Sequence, residues 1–220
     1  MLILVMDTST PAVTAGVYEV GADAVTCRGD SQVVDGRGHG EQLAPMIDKA
    51  LRAAGSRTKD LSAVVAGLGP GPFTGLRVGL VTAASMSHAL DIPSYGVCSL
   101  DALGLTLAES CAGKVVVATD ARRKEVYWGL YGVDGGRLDG PNVDKPAQVS
   151  LAEAVAVAGD GALLYPEVFP GARDEPRYPS AEALARLAAD RVRTGAPTET
   201  LTPLYLRRPD VHVGGRQQRL

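Results

Sequence analysis

The hydrophobic period of this chain changes in a fixed order over its first hundred residues, and that order restricts the fold more than any single motif. Residues 3–7 form a short apolar run, and residues 12–20 and 25–34 follow as two further strand-like stretches separated by the turn residues Gly21 and Asp23. Strands this close together predict an antiparallel meander. The pattern then switches: Leu43, Met46, Ile47, Ala50 and Leu51 recur at three and four residues, which predicts an amphipathic helix over 40–54 ended by Gly55. A fully apolar strand at 63–66, a helix over about 75–90 stopped at Ile92-Pro93, and a further strand complete the series. Three strands, helix, strand, helix, strand implies an α/β fold whose mixed sheet is flanked by helices.

The pattern then starts again. Residues 114–119 are an apolar strand ending at Asp120, and residues 125–133 alternate as a strand leading to the turn Asp134-Gly135-Gly136. The segment VVVATDAR echoes LILVMDTS at the start of the chain, so two lobes are expected, residues 1–105 and 106–207. Residues 139–179 are rich in Pro and Gly, and only 151–158 suggests a brief helix there. A helix over 180–193 is predicted with Ser180 as its cap and Leu184, Leu187, Ala188 and Val192 on its apolar face. Residues 208–220 are polar and read as a mobile tail.

Composition narrows the function. Twenty-two basic against 25 acidic residues leave a formal charge of −3 with no basic stripe, so this chain is not expected to be a main nucleic-acid-binding surface. Three cysteines, Cys27, Cys98 and Cys111, lie far apart without a Cys-x-x-Cys pair, which argues for reduced thiols. The start lacks the basic leader of a signal peptide, and no run approaches a membrane span, so a cytoplasmic location without membrane attachment is expected.

The segment Gly67-Leu68-Gly69-Pro70-Gly71-Pro72-Phe73-Thr74-Gly75-Leu76-Arg77-Val78-Gly79 joins a strand to a helix. Such glycines let amide groups turn toward an anion at a helix start, although a tight connection uses them equally well. It is not a Walker loop, having no Gly-Lys-Ser/Thr ending. Asp7, with Thr8 and Ser9, stands where α/β sheets hold ligands, and it either orients a metal-bound water or braces its own turn. These residues with Gly69, Gly71 and Gly75 form a candidate vestigial nucleotide loop. Asp120 beside Arg122 and Arg123 is read as bracing a turn. The histidines His39, His88 and His212 are dispersed, so no metal site is expected, and no Gly-x-Ser-x-Gly elbow marks a nucleophile. Gly79, Ala83 and Ser87 repeat every four residues, a small-residue stripe that either admits a partner helix or packs on its own sheet.

Taken together, ILVMDTST, His39-Gly40-Glu41 with Leu43 and Pro45, the glycine loop, Asp120-Ala121-Arg122-Arg123 with Glu125-Val126-Tyr127, and Pro203-Leu204-Tyr205-Leu206-Arg207 resemble the bacterial TsaB family, formerly called YeaZ. Pro72 departs from the serine usual in that loop. The resemblance implies an actin-like ATPase (ribonuclease H-like) fold and a role in making N6-threonylcarbamoyladenosine at position 37 of tRNA. It implies a TsaD-type subunit as partner, a TsaE-type ATPase reached through the complex, self-association as a homodimer, and tRNA met only indirectly. The shared surface would be the two helices 40–54 and 75–90, with His39, Glu41, Leu43, Met46, Ile47, Leu76, Gly79, Leu80, Ala83 and Ser87 as interface residues. Ser99 and Leu103 stand where the catalytic relative has a His-x-x-x-His metal pair, so the resemblance implies a non-catalytic subunit with no cofactor beyond weak or vestigial nucleotide binding. A kinase-like enzyme using Asp7 and the glycine loop is the alternative; a peptidase has no ligand set or nucleophile behind it.

Overall fold

The computed structural model describes residues 1–151 and 153–207. The tail expected over 208–220 lies outside the described residues. Two sheets carry the fold. The first is built from β1 (Leu2–Asp7), β2 (Ala12–Val20), β3 (Val25–Val34), β4 (Ala63–Gly67) and β5 (Ser94–Val97), in the order β3-β2-β1-β4-β5. β1 is its centre. It pairs antiparallel with β2, from Leu2 opposite Glu19 to Asp7 opposite Thr14, and parallel with β4, from Ile3 opposite Ala63. The parallel pair needs a crossover, which α1 (His39–Ala53) supplies, and α2 (Phe73–Leu90) supplies the next one into β5.

Both crossovers lie on one face of this sheet. Leu4, Met6, Val13, Ala15, Val17, Val64 and Ala66 point to it and pack with Leu43, Met46, Ile47, Leu76, Leu80 and Ala83. The alternate residues Ile3, Val5, Tyr18, Ala63, Val65 and Tyr95 point to the other face. There they meet α5 (Ala181–Arg193), whose Ala185, Ala188, Leu184 and Val192 form the matching stripe and whose Ser180 hydroxyl accepts the Ala183 amide as a cap. α5, far along the chain, thus returns to pack on the first sheet.

The second sheet repeats the plan with β6 (Lys114–Asp120), β7 (Val126–Tyr131), β8 (Arg137–Asp144) and β9 (Ala154–Ala158) in the order β8-β7-β6-β9. Its centre, β6, again pairs antiparallel with a hairpin strand and parallel with a later one. Residues 151–158 contain β9 rather than a helix: Ala154-Val155-Ala156-Val157-Ala158 alternates at period two and pairs with β6. β8 also falls in the stretch read as irregular. α3 (Ser99–Ala108) lies between the sheets, with Leu100, Leu103 and Leu107 against Val115, Val117 and Tyr131 and with Ala102 in the core of the first sheet. α4 (Asp160–Leu163) is a single turn on the far face of the second sheet. Among the described residues no helix is long and apolar enough to cross a membrane.

Candidate functional site

The carboxyl end of β1 is the point where Asp7, the glycine loop and the start of α3 meet. Asp7 is 1% exposed. One carboxylate oxygen accepts the Ser9 amide at 2.8 Å and the Ser9 hydroxyl at 2.7 Å, and the other accepts the Ser99 hydroxyl. Burial raises its pKa, against the downward pull of those hydrogen bonds and of the His39 charge. A metal or a phosphate has no open approach to this group. At the end of β4 a Cβ on Gly67 would stand 1.7 Å from the Asp7 carboxylate, so glycine there lets the acid lie across the neighbouring strand.

Gly71 has an internal contact of the same kind. A Cβ on Gly71 would stand 2.1 Å from the Ser9 carbonyl oxygen. Gly69, at φ +86°, exchanges two hydrogen bonds with Ser99: its amide donates to the Ser99 hydroxyl at 3.1 Å, and its carbonyl accepts the Ser99 amide at 2.8 Å. The Thr8 hydroxyl bridges one turn of α2, donating to the Gly75 carbonyl at 2.8 Å and accepting the Gly79 amide at 3.0 Å. Thr8, Ser9 and Thr10 are all buried. The residues proposed from sequence as a nucleotide loop are thus brought together, but they close on one another. Ser99 opens α3 and Leu103 is buried in the core between the sheets.

The helical residues expected at an interface divide differently. Leu43, Met46, Ile47, Leu76, Gly79, Leu80 and Ala83, expected at a partner surface, are buried against the chain's own first sheet. The small-residue stripe makes room for Thr8: a Cβ on Gly79 would stand 2.6 Å from its hydroxyl. Ser87 is half-buried and donates to the Ile92 carbonyl at 2.6 Å. His39 is half-buried and its Nε2 donates to the Thr10 carbonyl at 2.8 Å, while Glu41 is exposed in the first turn of α1.

The outward face of α2 consists of residues that the sequence stripe did not include. Phe73 is 47% and Val81 62% exposed, and Arg77, Ala84, Ser85 and His88 share their face. The Arg77 guanidinium lies 3.8 Å above the Phe73 ring and its Nε donates to the Tyr205 hydroxyl at 2.9 Å; the Phe73 and Tyr205 rings stack at 5.2 Å. Between this face and residues 195–205 runs a groove of about 1050 Å³, lined in part by Val81, Ala84, Ile92, Leu201 and Pro203. The signal that would have found it is the sequence of α2 itself, 18 residues without one acid.

In the second sheet Asp120 ends β6 and accepts the Arg122 amide at 2.7 Å, with the Arg122 guanidinium 3.2 Å away, so it braces its turn as the sequence suggested. Arg122, Arg123 and Lys124 have φ of 63°, 54° and 62°, three consecutive left-handed residues that carry charge. Asp160 at the start of α4 accepts the Asp120 amide at 3.3 Å, and burial pushes its pKa up to about 6. Arg207 closes the turn by donating to the Ala121 carbonyl at 2.8 Å and pairing with Glu125. Among the described residues no group of three or more His, Cys, Asp or Glu is placed to hold a metal ion.

Known proteins share this arrangement. Residues 33–170 match the family model of TsaD, tRNA N6-adenosine threonylcarbamoyltransferase. An uncharacterized protein of Mycobacterium tuberculosis is 47% identical over 208 residues, 94% of this chain and 92% of that protein. Escherichia coli tRNA threonylcarbamoyladenosine biosynthesis protein TsaB is 32% identical over 136 residues, a match that takes in 60% of this chain and 55% of that protein. The crystal structure of YeaZ from Pseudomonas aeruginosa superposes with a TM-score of 0.77 at 29% identity, covering 93% of this chain and 99% of that one. A second Pseudomonas aeruginosa structure, described as similar to peptidase YeaZ, gives 0.78 at 30% identity over 94% of this chain and 99% of that one. With the full length of that structure matched and TsaB the name of its characterized relatives, the chain belongs to the TsaB (YeaZ) family.

Proposed function

We propose that this chain is a non-catalytic scaffold and activator subunit in the formation of N6-threonylcarbamoyladenosine at position 37 of tRNA. It binds a TsaD-type transferase, reaches a TsaE-type ATPase through that complex, and pairs with a second copy of itself through the same face. The observation that carries this reading is α2. Its inner side packs on the first sheet, its outer side carries exposed Phe73, Val81 and Ala84, and no acid occurs along it. Apolar side chains left exposed together on one helix face mark a surface suited to a partner. The Arg77, Phe73 and Tyr205 cluster beside it has the Arg and aromatic composition of interface anchors.

The fold that goes with this reading is the two-lobed actin-like ATPase (ribonuclease H-like) architecture, each lobe centred on a strand that ends in aspartate. The sealed state of Asp7 supports a subunit that has given up nucleotide chemistry, since a kinase-like mechanism needs that acid at a metal-bound phosphate. A peptidase reading finds no activated nucleophile among the described residues. Burial pushes the Cys98 thiol up to about 12, and the Ser99 hydroxyl donates to Asp7 with no imidazole bonded to it among the described residues.

Mixing the chain with the TsaD-type protein of the same organism and following assembly by light scattering, and tRNA modification by nucleoside mass spectrometry, tests the proposal. Val81→Arg and Ala84→Arg are expected to abolish assembly and modification without moving the melting temperature of the isolated chain. Full modification in the absence of this chain, or undiminished assembly of both variants, overturns it. Gly79→Arg and Ala83→Arg, which the sequence stripe suggested, are unsuitable, because both would break the monomer's own core.

A further inference from the structure

Pro203-Leu204-Tyr205-Leu206-Arg207 is neither helix nor strand, yet its side chains are anchored on both sheets. The approach to it is fixed along β5, the edge of the first sheet. The Tyr95 hydroxyl donates to the Ala196 carbonyl at 2.7 Å, the Thr198 hydroxyl accepts the Ser94 amide at 3.1 Å, and the Glu199 amide donates to the Ser94 carbonyl at 2.9 Å. The Glu199 carboxylate accepts the Gly96 amide at 2.9 Å and pairs with Arg191. These contacts occupy backbone groups that an edge strand otherwise leaves open. The Leu204 amide then donates to the Leu68 carbonyl at 2.9 Å, while Leu204 and Leu206 pack against the cluster of Leu100, Leu103, Val117 and Tyr127.

Between those two leucines Tyr205 meets α2. Its ring stacks on Phe73, and its hydroxyl accepts Arg77 Nε at 2.9 Å. Two residues further on, Arg207 donates to the Ala121 carbonyl at 2.8 Å and pairs with Glu125. Ala121 and Glu125 flank Arg122, Arg123 and Lys124, the three left-handed residues of the β6–β7 turn. Such a run of residues with a Cβ persists only where its surroundings hold it. Backbone bonds close the turn from within, Glu125 amide to Arg122 carbonyl at 3.0 Å and Ala121 amide to Glu125 carbonyl at 3.1 Å. Arg207 grips both flanks from outside. Tyr205 and Arg207 are separated by at most about 7 Å of chain, so a displacement of the first-sheet anchor is carried to the second-sheet one.

We propose that Pro203-Leu204-Tyr205-Leu206-Arg207 is a tie that couples the outward face of α2 to the β6–β7 turn, with Tyr205 as its anchor on α2 and Arg207 as its anchor on the turn. A contact that holds Arg77 and Tyr205 in place steadies residues 121–125; one that frees them loosens the turn. Only the use of this tie by a partner seated on α2 rests on the function proposed above. The tie itself is tested on the isolated full chain, so a failure to assemble with a TsaD-type protein sinks that function and leaves this test standing. Hydrogen exchange read by mass spectrometry reports on the peptide spanning 121–126. Arg77 is exposed and lies on α2, far in sequence from both the motif and the turn, so Arg77→Ala leaves the fold intact. Arg77→Ala and Tyr205→Ala are each expected to speed exchange in 121–126 about threefold or more, with β1 and the interior of β6 unchanged. Arg28→Ala, an exposed ion-pair residue on β3, is expected to leave 121–126 at the parental rate. Parental exchange in Arg77→Ala and Tyr205→Ala overturns the proposal. So does faster exchange spread evenly over the second sheet, which means general loosening rather than a tie to one turn.

Discussion

β1 and β6 occupy the same place in their sheets and both end in an aspartate, yet the turns that follow have opposite fates. After Asp7 the chain is buried: Thr8, Ser9 and Thr10 are covered by the glycine loop, and the acid takes its hydrogen bonds from Ser9 and Ser99. After Asp120 the chain is open, basic and left-handed at three residues in succession. The difference lies in what crosses over each strand end. In the first sheet the β4–α2 connection is long and glycine-rich, and α2 reaches back to Thr8. In the second, β9 leads into the single turn α4, which reaches β6 at Ala118, Thr119 and the Asp120 amide. Topology fixes where a site stands; the length of the following helix decides whether it is closed.

The closure is the part of this comparison whose removal should cost most. Gly71→Ala puts a methyl group 2.1 Å from the Ser9 carbonyl oxygen, a backbone contact that no side-chain rotation relieves. We expect a loss of roughly 3 kcal/mol or more, seen as a lower urea midpoint. Gly159→Ala in the second sheet meets the Ala118 carbonyl oxygen at 2.1 Å from a backbone at φ +105°, and should cost as much. A Gly71→Ala protein as stable as the parent would mean that the loop does not press on β1, and the contrast between the two turns would fail.

The two ends also differ in how their acids titrate. Asp160, beside Asp120, is pushed by burial from 3.8 up to about 6. The folded chain therefore binds this proton more tightly than the unfolded chain, and its stability falls as pH rises through the window from about 4 to about 6. Asp160→Asn should flatten that part of the profile and gain on the order of 1 to 2 kcal/mol at pH 7, since an amide keeps an acceptor for the Asp120 amide. Asp7 is raised as well and works in the same direction, so some slope should persist in the variant. Denaturant titrations of both proteins at pH 4 and pH 7 measure the difference; identical slopes would remove Asp160 as a titrating group.

Much of the first sheet was legible because its strands and crossover helices follow simple periods. β2 and β3 start and stop where the alternation does, and α1 and α2 begin one and two residues before the sequence limits. α3 escaped because it is apolar on nearly every side, wedged between a sheet and α5, and so shows no amphipathic period. β8, an outer strand carrying Gly140-Pro141, offers too little apolar alternation to be seen. At the candidate site the position of Asp7 and of the loop was readable, but not what the glycines face. The spacing of Gly79, Ala83 and Ser87 is the same whether a foreign helix or Thr8 fills the space. The contact that decides it joins residues 71 apart in sequence, beyond the reach of any local pattern.

The smallest effect sits in the open turn, where its sign is the informative quantity. Lys124 holds φ 62°, its side chain is exposed, and it makes no ion pair among the described residues. A left-handed residue with a Cβ carries a local cost of about 1 kcal/mol that glycine lacks, offset in part by the greater freedom of glycine in the unfolded chain. Lys124→Gly should therefore be neutral to stabilising, by up to about 0.5 kcal/mol. The buried turn should respond the other way. Thr10 has no such backbone strain to relieve, and its hydroxyl accepts the Ala12 amide at 3.3 Å. Thr10→Gly thus loses a buried hydrogen bond and packing as well as backbone entropy, a cost of roughly 1 to 3 kcal/mol. Opposite signs in paired thermal melts would establish that one strand end is held by its cover and the other by the bracing of Asp120 and Arg207 alone. Matching destabilisation would mean that the basic turn, too, is packed against something that fixes Lys124 in place.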